Sequence, residues 1–521
     1  MILKIQSNKN KFFIFILFVF SIAINQYYGN KGAFPMDSFH FFDSGYKVLN
    51  GETPFIDYWL VKGPLLDYVQ AIFFYFFGVS WQSYVLHASL INAILTIFTF
   101  IVLKNYNLKS FYCFFYSLLF SILAYPSSGT PFIDHHSAFF SLLGIYSFLL
   151  VIKNNNKLYW YLMPIFFGFG FFSKQVPTSY IIILLSFILI LFFIIKKNLN
   201  NIKYLLIGAS AFVAVVFTFG IFQGIDFSSF LVQHFLYPRT IGAERFSNLE
   251  ISYNNIIENF ILIYLSAIPF VYENIKRIFF NKKYIKENDF YVFLSLIIFT
   301  ISLIFHQLLT KNQIFIFFLI PILAAFSHIS LLKMKTNLKN SLCILIIFLS
   351  VFSTYKYHSR YNEGRKFHEL KNVDFNLTVE AKNIDKKLSG LNWITPQFHD
   401  NPEKEIKLIN QVKNILEKDK RTKILITNYP FYSVILNQKI LSPSRIYTGD
   451  GTTHPIKGNK YAEKYKELMH NLILKNNVSV IYKTNIANHE FNFHYIDSYK
   501  HCYEKKIISK QLTEYDLENC N

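Results

Sequence analysis

Long apolar runs separated by short polar ones fill the first two thirds of the chain. They read as Phe12–Ile24, Gln82–Leu103, Ser110–Tyr125, Ser137–Ile152, Leu158–Phe172, Val176–Ile195, Ile202–Phe222, Ile256–Val271, Phe290–Leu309, Ile314–Leu332 and Asn340–Ser353. Runs of about 20 apolar residues match the thickness of a bilayer, so the pattern predicts about eleven membrane spans. Phe12–Ile24 also has a signal-peptide layout, with Lys4, Lys9 and Lys11 ahead of it and Ser21-Ile22-Ala23 as a faint cleavage site. We read it as a retained first span.

Phe34 to Gly78 breaks this rhythm. It carries Asp37, Asp43, Asp57 and Asp67, with Lys47 and Lys62 among them. Such charges are too costly to face hydrocarbon, so the stretch belongs in water or at the membrane surface. Phe39, Phe42, Tyr46 and Leu49 recur at helical spacing, and Asn50-Gly51 can stop that helix. Gly63-Pro64 opens a second helix, Leu65 to Phe77, with proline where its missing N–H costs nothing. The pattern predicts two amphipathic helices lying on the bilayer and joined by an acidic, aromatic loop.

From Tyr355 the apolar runs shorten. Ile406, Ile409, Val412 and Leu416 mark one helix face, and Tyr461, Tyr465, Leu468 and Leu472 another. Lys423–Thr427 and Val478–Lys483 read as buried strands. This alternation predicts a small α/β domain. No glycine-rich phosphate loop occurs in it. The polar run Tyr447 to Pro455 reads as a turn cluster, with sugar binding as the alternative.

Composition agrees with a membrane protein: 52% of the 521 residues are hydrophobic, with 60 Phe and 35 Tyr. A net charge of +20 would suit a nucleic-acid partner. The Lys and Arg instead sit in short clusters between apolar runs, which excludes a single binding patch. Lys104/Lys109, Lys153/Lys157, Lys196/Lys197/Lys203, the Lys276–Lys286 group and Lys333/Lys335/Lys339 fall in alternate loops. The positive-inside rule places those loops and the N-terminus in the cytoplasm. An odd number of spans then puts the C-terminal part outside, in the periplasm of a cytoplasmic-membrane protein.

An acidic residue just past the first span, followed by Gly51, Pro54 and Asp57-Tyr58-Trp59, then Lys62-Gly63-Pro64-Leu65, resembles the first outside loop of GT-C glycosyltransferases. The protein mannosyltransferases and aminoarabinose transferases, which use polyprenyl-phosphate sugars, are the group it most resembles. The resemblance covers the first third of the chain well, and the rest by architecture. It implies an α-helical polytopic membrane protein of GT-C-like build, residues 1–354 with a first outside loop at 28–81. A C-terminal extracytoplasmic α/β domain, 355–521, would follow.

In that family the Asp after the first span is the proposed catalytic residue, and it maps onto Asp37. The Lys-Pro-Pro-Leu segment maps onto Lys62 to Leu65. A second acidic residue near the donor phosphate points to Asp134, in Thr130-Pro-Phe-Ile-Asp-His-His136. The Lys-bearing segment after the fifth span points to Lys174 in Ser173-Lys-Gln-Val-Pro177. Arg239 and Arg245, in the loop Gln223–Asn255, are further donor-binding candidates, and Asp57 and Tyr58 are acceptor-binding candidates.

Each of these has a plainer account. Asp37 and Asp134 stand where helix caps stand. Lys174 could snorkel to headgroups, and the 223–255 loop could be an ordinary solvated connection. Asp134-His135-His136 could also hold a metal. His306 reads as a packed, hydrogen-bonded histidine.

The implied reaction takes a sugar from a polyprenyl-phosphate donor to an outside acceptor, with Asp37 as general base and Lys62 or Lys174 on the leaving phosphate. It requires no metal and no cofactor. The rivals are a transporter or flippase, which wants mid-span charges and paired broken helices, and a surface-glycan ligase or polymerase. Cys113 and Cys343 read as packing residues. Cys502 and Cys520, in the tail placed outside, are expected to form a disulfide.

Overall fold

The computed structural model describes residues 7–197, 199–310, 315–334, 337–486, 495–499 and 501–520. Lys4, Lys311 to Gln313 and Lys335 lie outside these. Helix α1 (Asn8–Gly29) packs along α4 (Trp81–Asn105). The Asn25 amide donates to Ser89 Oγ and to the Gly129 carbonyl, both at 3.1 Å. Those bonds give the first apolar run the place of a bundle helix. A Ser80–Ser83 capping box starts α4 cleanly after the loop.

The remaining bundle helices follow the apolar runs. They are α5 (Ser110–Leu123), α6 (Ile133–Asn154), α7 (Leu158–Ser173), α8 (Gln175–Lys196) and α9 (Ile202–Phe222). After a connecting helical segment ending in α10 (Tyr237–Ser247) come α11 (Ile261–Phe280), α12 (Asn288–Thr310), α13 (Leu319–Lys333) and α14 (Lys339–Tyr357). Among the described residues ten helical stretches are long and apolar enough to cross a membrane. The 16-residue α7 is shorter, about 24 Å at 1.5 Å per residue. It still returns the chain to the level where α6 begins, because Lys174, just past its end, pairs with Asp134. The protein is a multi-pass membrane protein.

Between α1 and α4 lie α2 (Pro35–Leu49), which stops at Asn50-Gly51 as the sequence predicts, and α3 (Leu65–Phe77), which has both predicted bounds. Their setting differs from the expectation. α3 exposes Ile72, Tyr75 and Phe76, as a surface-lying helix should. α2 is buried almost throughout, under the C-terminal part of the chain. Phe39 packs on Trp393 and Phe431, with ring centroids 5.7 and 4.9 Å apart. Its charges survive burial because Asp43 and Lys47 pair with each other at 2.7 Å.

The C-terminal part carries a short hairpin, β1 (Val379–Glu380) with β2 (Asn392–Trp393), and one four-stranded sheet. Strand β3 (Lys423–Ile426) runs parallel to β4 (Val480–Thr484), with α16 (Ala462–Asn476) on the crossover between them. The antiparallel hairpin β5 (Glu504–Ser509) and β6 (Leu512–Asp516) completes the order β3-β4-β6-β5. The apolar face of α15 (Pro402–Lys418) joins the core beneath α2. The Cys502–Cys520 disulfide closes the hairpin, with Cα atoms 5.1 Å apart. Cys113 and Cys343 are buried and free.

Bundle and C-terminal part are clasped at their junction. The fully buried Arg365 guanidinium donates to the carbonyls of Lys31, Pro126, Ser127 and Ser128, at 2.8 to 3.2 Å.

Candidate active site

The candidate site forms where the loop before α3 meets the junction of α7 and α8. Gly63 makes this approach possible. Its N–H donates to the Ser173 carbonyl at 3.2 Å, and a Cβ there would fall inside the Phe172 carbonyl. No larger residue could bring Lys62 this close to Lys174 on that backbone. The Gln175 side chain then laces three segments together, donating to the carbonyls of Val61 at 3.1 Å and His234 at 2.7 Å. Gln233 adds a second stitch, its Oε1 accepting from the Leu60 N–H at 2.8 Å.

These contacts frame a cavity of about 750 Å³. Lys62, Lys174, Arg239 and Arg245 all line it, so the structure brings together the four candidate donor-binding residues. Phe171 and Leu309 give it an apolar wall on the bundle side, and Thr452 reaches it from the C-terminal part. The 223–255 segment is therefore more than a solvated connection, since α10 is one wall of the cavity.

Among the described residues only one of the four cations has a carboxylate partner. Lys174 pairs with Asp134, and both side chains are nearly fully buried. His306 Nε2 lies 2.9 Å from the same Asp134 oxygen. Asp134 is thus no helix cap; α6 is preceded by Phe132, with no side-chain cap. His306 is a packed, bonded histidine, and its partner is the candidate acid itself. His135 turns to Ser127 at 3.0 Å, and His136 to Tyr125 and His87, so the three residues of this motif diverge. Among the described residues no three His, Cys, Asp or Glu side chains are grouped as a metal ion needs.

Asp37 stands in the first turn of α2, whose cap position is Phe34. The Phe34 N–H is taken by Ser38 Oγ at 3.0 Å, so Asp37 does not cap the helix. Its half-buried carboxylate has no hydrogen bond or ion pair among the described residues. Burial pushes this carboxyl up to about 6; Lys62 pulls it back, while Asp134 and Glu369 push it further up. Lys62 is brought down to about 8, first by burial and then by the neighbouring Lys174 charge. Burial likewise lowers Lys174, against the pull of Asp134. An unpaired carboxylate thus lies within electrostatic reach of Lys62, which lines the cation-rich cavity.

Asp57 and Tyr58 lie elsewhere. Asp57 accepts from the Thr53 N–H at 2.8 Å and pairs with Lys475 at 3.2 Å, in a separate cleft of about 410 Å³ against α16. Tyr58 is buried against Phe55 and Leu60. Sequence reasoning did not single out Glu369, whose charge acts on Asp37 and which comes from the C-terminal part with no local signal. Thr452, in the cavity wall, belongs to the Tyr447–Pro455 run read as a turn cluster with sugar binding as the alternative.

Residues 61–220 match the model of a family described as dolichyl-phosphate-mannose-protein mannosyltransferase. No curated protein matches the sequence. Among solved structures, ArnT from Cupriavidus metallidurans bound to undecaprenyl phosphate is similar at 10% identity. That match covers 96% of this chain and 97% of that one, with a TM-score of 0.52. The apo form of the same protein is similar at 9% identity over the same shares, with a TM-score of 0.51. The likeness spans bundle and C-terminal part alike, and the chain has the GT-C fold.

Proposed function

We propose that this chain is a membrane glycosyltransferase that moves a sugar from a polyprenyl-phosphate donor to an acceptor hydroxyl on the outer face of the cytoplasmic membrane. The observation that carries this reading is the pairing of opposites at one place. Lys62, Arg239 and Arg245 line a single cavity without carboxylate partners among the described residues, and Asp37 lies beside Lys62 with no cation paired to it. The cations suit a lipid phosphate, and the apolar wall suits the start of its tail. The similar ArnT structure is bound to undecaprenyl phosphate, and a lipid phosphate of that kind is what the proposed transfer would release here.

In the reaction, Asp37 takes the proton of the acceptor hydroxyl as its oxygen attacks the anomeric carbon. The bond from that carbon to the phosphate oxygen breaks, and the polyprenyl phosphate leaves with the electron pair. Lys62, Arg239 and Arg245 stabilise the charge that develops there, and Asp134 holds Lys174 in the wall. A single displacement inverts the anomeric centre. The bundle at 1–354 and the α/β domain at 355–521 are the working division of the chain. Charge alternation puts the N-terminus inside and the α/β domain outside.

Transfer from labelled polyprenyl-phosphate sugars by the purified protein tests this reading. Asp37→Asn is expected to lower turnover by roughly 10²- to 10⁴-fold, the range for a lost general base. Wild-type turnover in a folded Asn variant would remove Asp37 from the mechanism.

A further inference from the structure

We infer that Arg445, in the C-terminal part, is a positioning residue for the donor site: through Asp67 and the Gly63 carbonyl it fixes the segment that carries Lys62. The inference rests on the donor-site reading above and extends it to a residue some 380 positions away in sequence.

Three contacts converge on this guanidinium. It pairs with Asp67, in the first turn of α3. Its Nη2 lies 3.5 Å from the Gly63 carbonyl oxygen, the residue directly after Lys62. Its carbon sits 4.7 Å from the centre of the Phe41 ring, one turn beyond Asp37 on α2. Asp67 has no exposure at all, and its other oxygen accepts from Ser44 Oγ, also on α2. One buried ion pair therefore joins α2, the start of α3 and the loop that follows Leu441. The backbone repeats the link next door, where the Trp59 N–H donates to the Pro443 carbonyl at 2.8 Å.

Lys62 itself has no carboxylate to hold it among the described residues. Its position is set by its backbone, pressed on one side by Ser173 through Gly63 and held on the other by Arg445. A planar, always-charged guanidinium can serve the carboxylate, the carbonyl and the ring face together; an ammonium can serve fewer of them. Sub-ångström placement is what such support supplies, and a misplacement of about 1 Å can cost on the order of 100-fold.

The test uses the full-length protein in detergent or nanodiscs. Undecaprenyl phosphate binding, transfer kinetics and thermal unfolding are measured for wild type, Arg445→Gln, Arg445→Lys, Asp67→Asn and the Asp67→Asn/Arg445→Gln pair. The expected result is a rise of roughly tenfold or more in donor KM and in the undecaprenyl phosphate Kd for Arg445→Gln, with the acceptor KM within about twofold. Arg445→Lys should recover part of the loss, and the double variant should be no worse than the poorer single one. Should Arg445→Gln fail to fold, the Arg445→Lys and Asp67→Asn variants carry the same donor-against-acceptor comparison. Unchanged donor binding in the folded variants, or equal losses for donor and acceptor, overturns the positioning role while leaving the donor site standing. Wild-type protein that binds no undecaprenyl phosphate overturns the donor-site reading itself.

Discussion

Lys174 and Asp134 form a buried ion pair where α6 begins and α7 ends, and Lys62, on the same cavity, has no such partner among the described residues. The two lysines should therefore respond differently to the same substitution. Lys62→Gln removes a cation whose charge is open to the donor. We expect weaker donor binding with normal folding and a normal acceptor KM. Lys174→Gln leaves the buried Asp134 charge with His306 as its remaining partner, and breaking a buried pair costs up to about 3–5 kcal/mol. Its thermal unfolding should fall along with its donor affinity. Equal melting temperatures for the two variants would contradict this division.

The pH profile follows from Asp37 and Lys62. Asp37 acts as a base only when ionised, and burial holds its carboxyl near 6. Activity should rise with pH through that value. Lys62 attracts phosphate only when protonated, and burial together with Lys174 brings it to about 8. Activity should fall as pH passes that value, giving a bell-shaped kcat/KM. In Lys62→Met the alkaline limb should vanish. The acid limb should move to higher pH, because the charge that lowers the Asp37 carboxyl is gone. A flat wild-type profile between about pH 5 and 9 would exclude both roles.

Gly63 offers a steric test. Gly63→Ala places a methyl group into the Phe172 carbonyl, backbone against backbone, where no side chain can give way. The loop must lift off α7 and carry Lys62 with it. Donor binding should weaken and the protein should melt earlier. Gly220→Ala, in the last turn of α9 with nothing within 4 Å of the added atom, is the control. Helix propensity predicts it neutral or slightly stabilising, by less than the roughly 0.5–1 kcal/mol of a mid-helix site.

The tail disulfide tests orientation as well as stability. Closing a loop of roughly 18 residues contributes about 3 kcal/mol in the chain-entropy model. Cys502→Ser should therefore loosen the β5–β6 hairpin first, seen as faster hydrogen exchange there. In protein made by cells with an oxidising outer compartment, neither Cys502 nor Cys520 should react with alkylating agents before reduction. Full alkylation would place the tail on the cytoplasmic side and reverse the orientation assigned to Asp37.

The spans were legible because hydrocarbon demands unbroken apolar length, and α2 and α3 because Asn50-Gly51 and Gly63-Pro64 punctuate them. Lys62 and Lys174 were singled out by the resemblance of their segments to the Lys-bearing segments of GT-C enzymes, and the fold brings both to one cavity. The burial of α2 was not. An isolated Phe39, Phe42, Tyr46 face looks the same whether lipid or Trp393 covers it, and only the fold supplies Trp393. His306 stands 172 residues from Asp134, and nothing local to either residue shows that they meet. Asp57 holds its loop through the Thr53 N–H and pairs with Lys475, a residue 418 positions away that no local pattern points to.

Asp67 is near the start of the chain and Arg445 near its end, 378 residues apart. Loop closure over that span adds little to the cost of the folded state, because the entropy grows only with the logarithm of length. It bears instead on the order of events during synthesis. The segment bearing Lys62 emerges early and can meet Ser173 and Gln175 within the bundle, yet its other support, Arg445, waits until the loop after Leu441 has been made and has docked. A nascent chain halted in the bundle would hold its cations in place on α7 and α10 and still lack a settled Lys62. The bundle can thus assemble in the membrane well before the site proposed for the donor is complete.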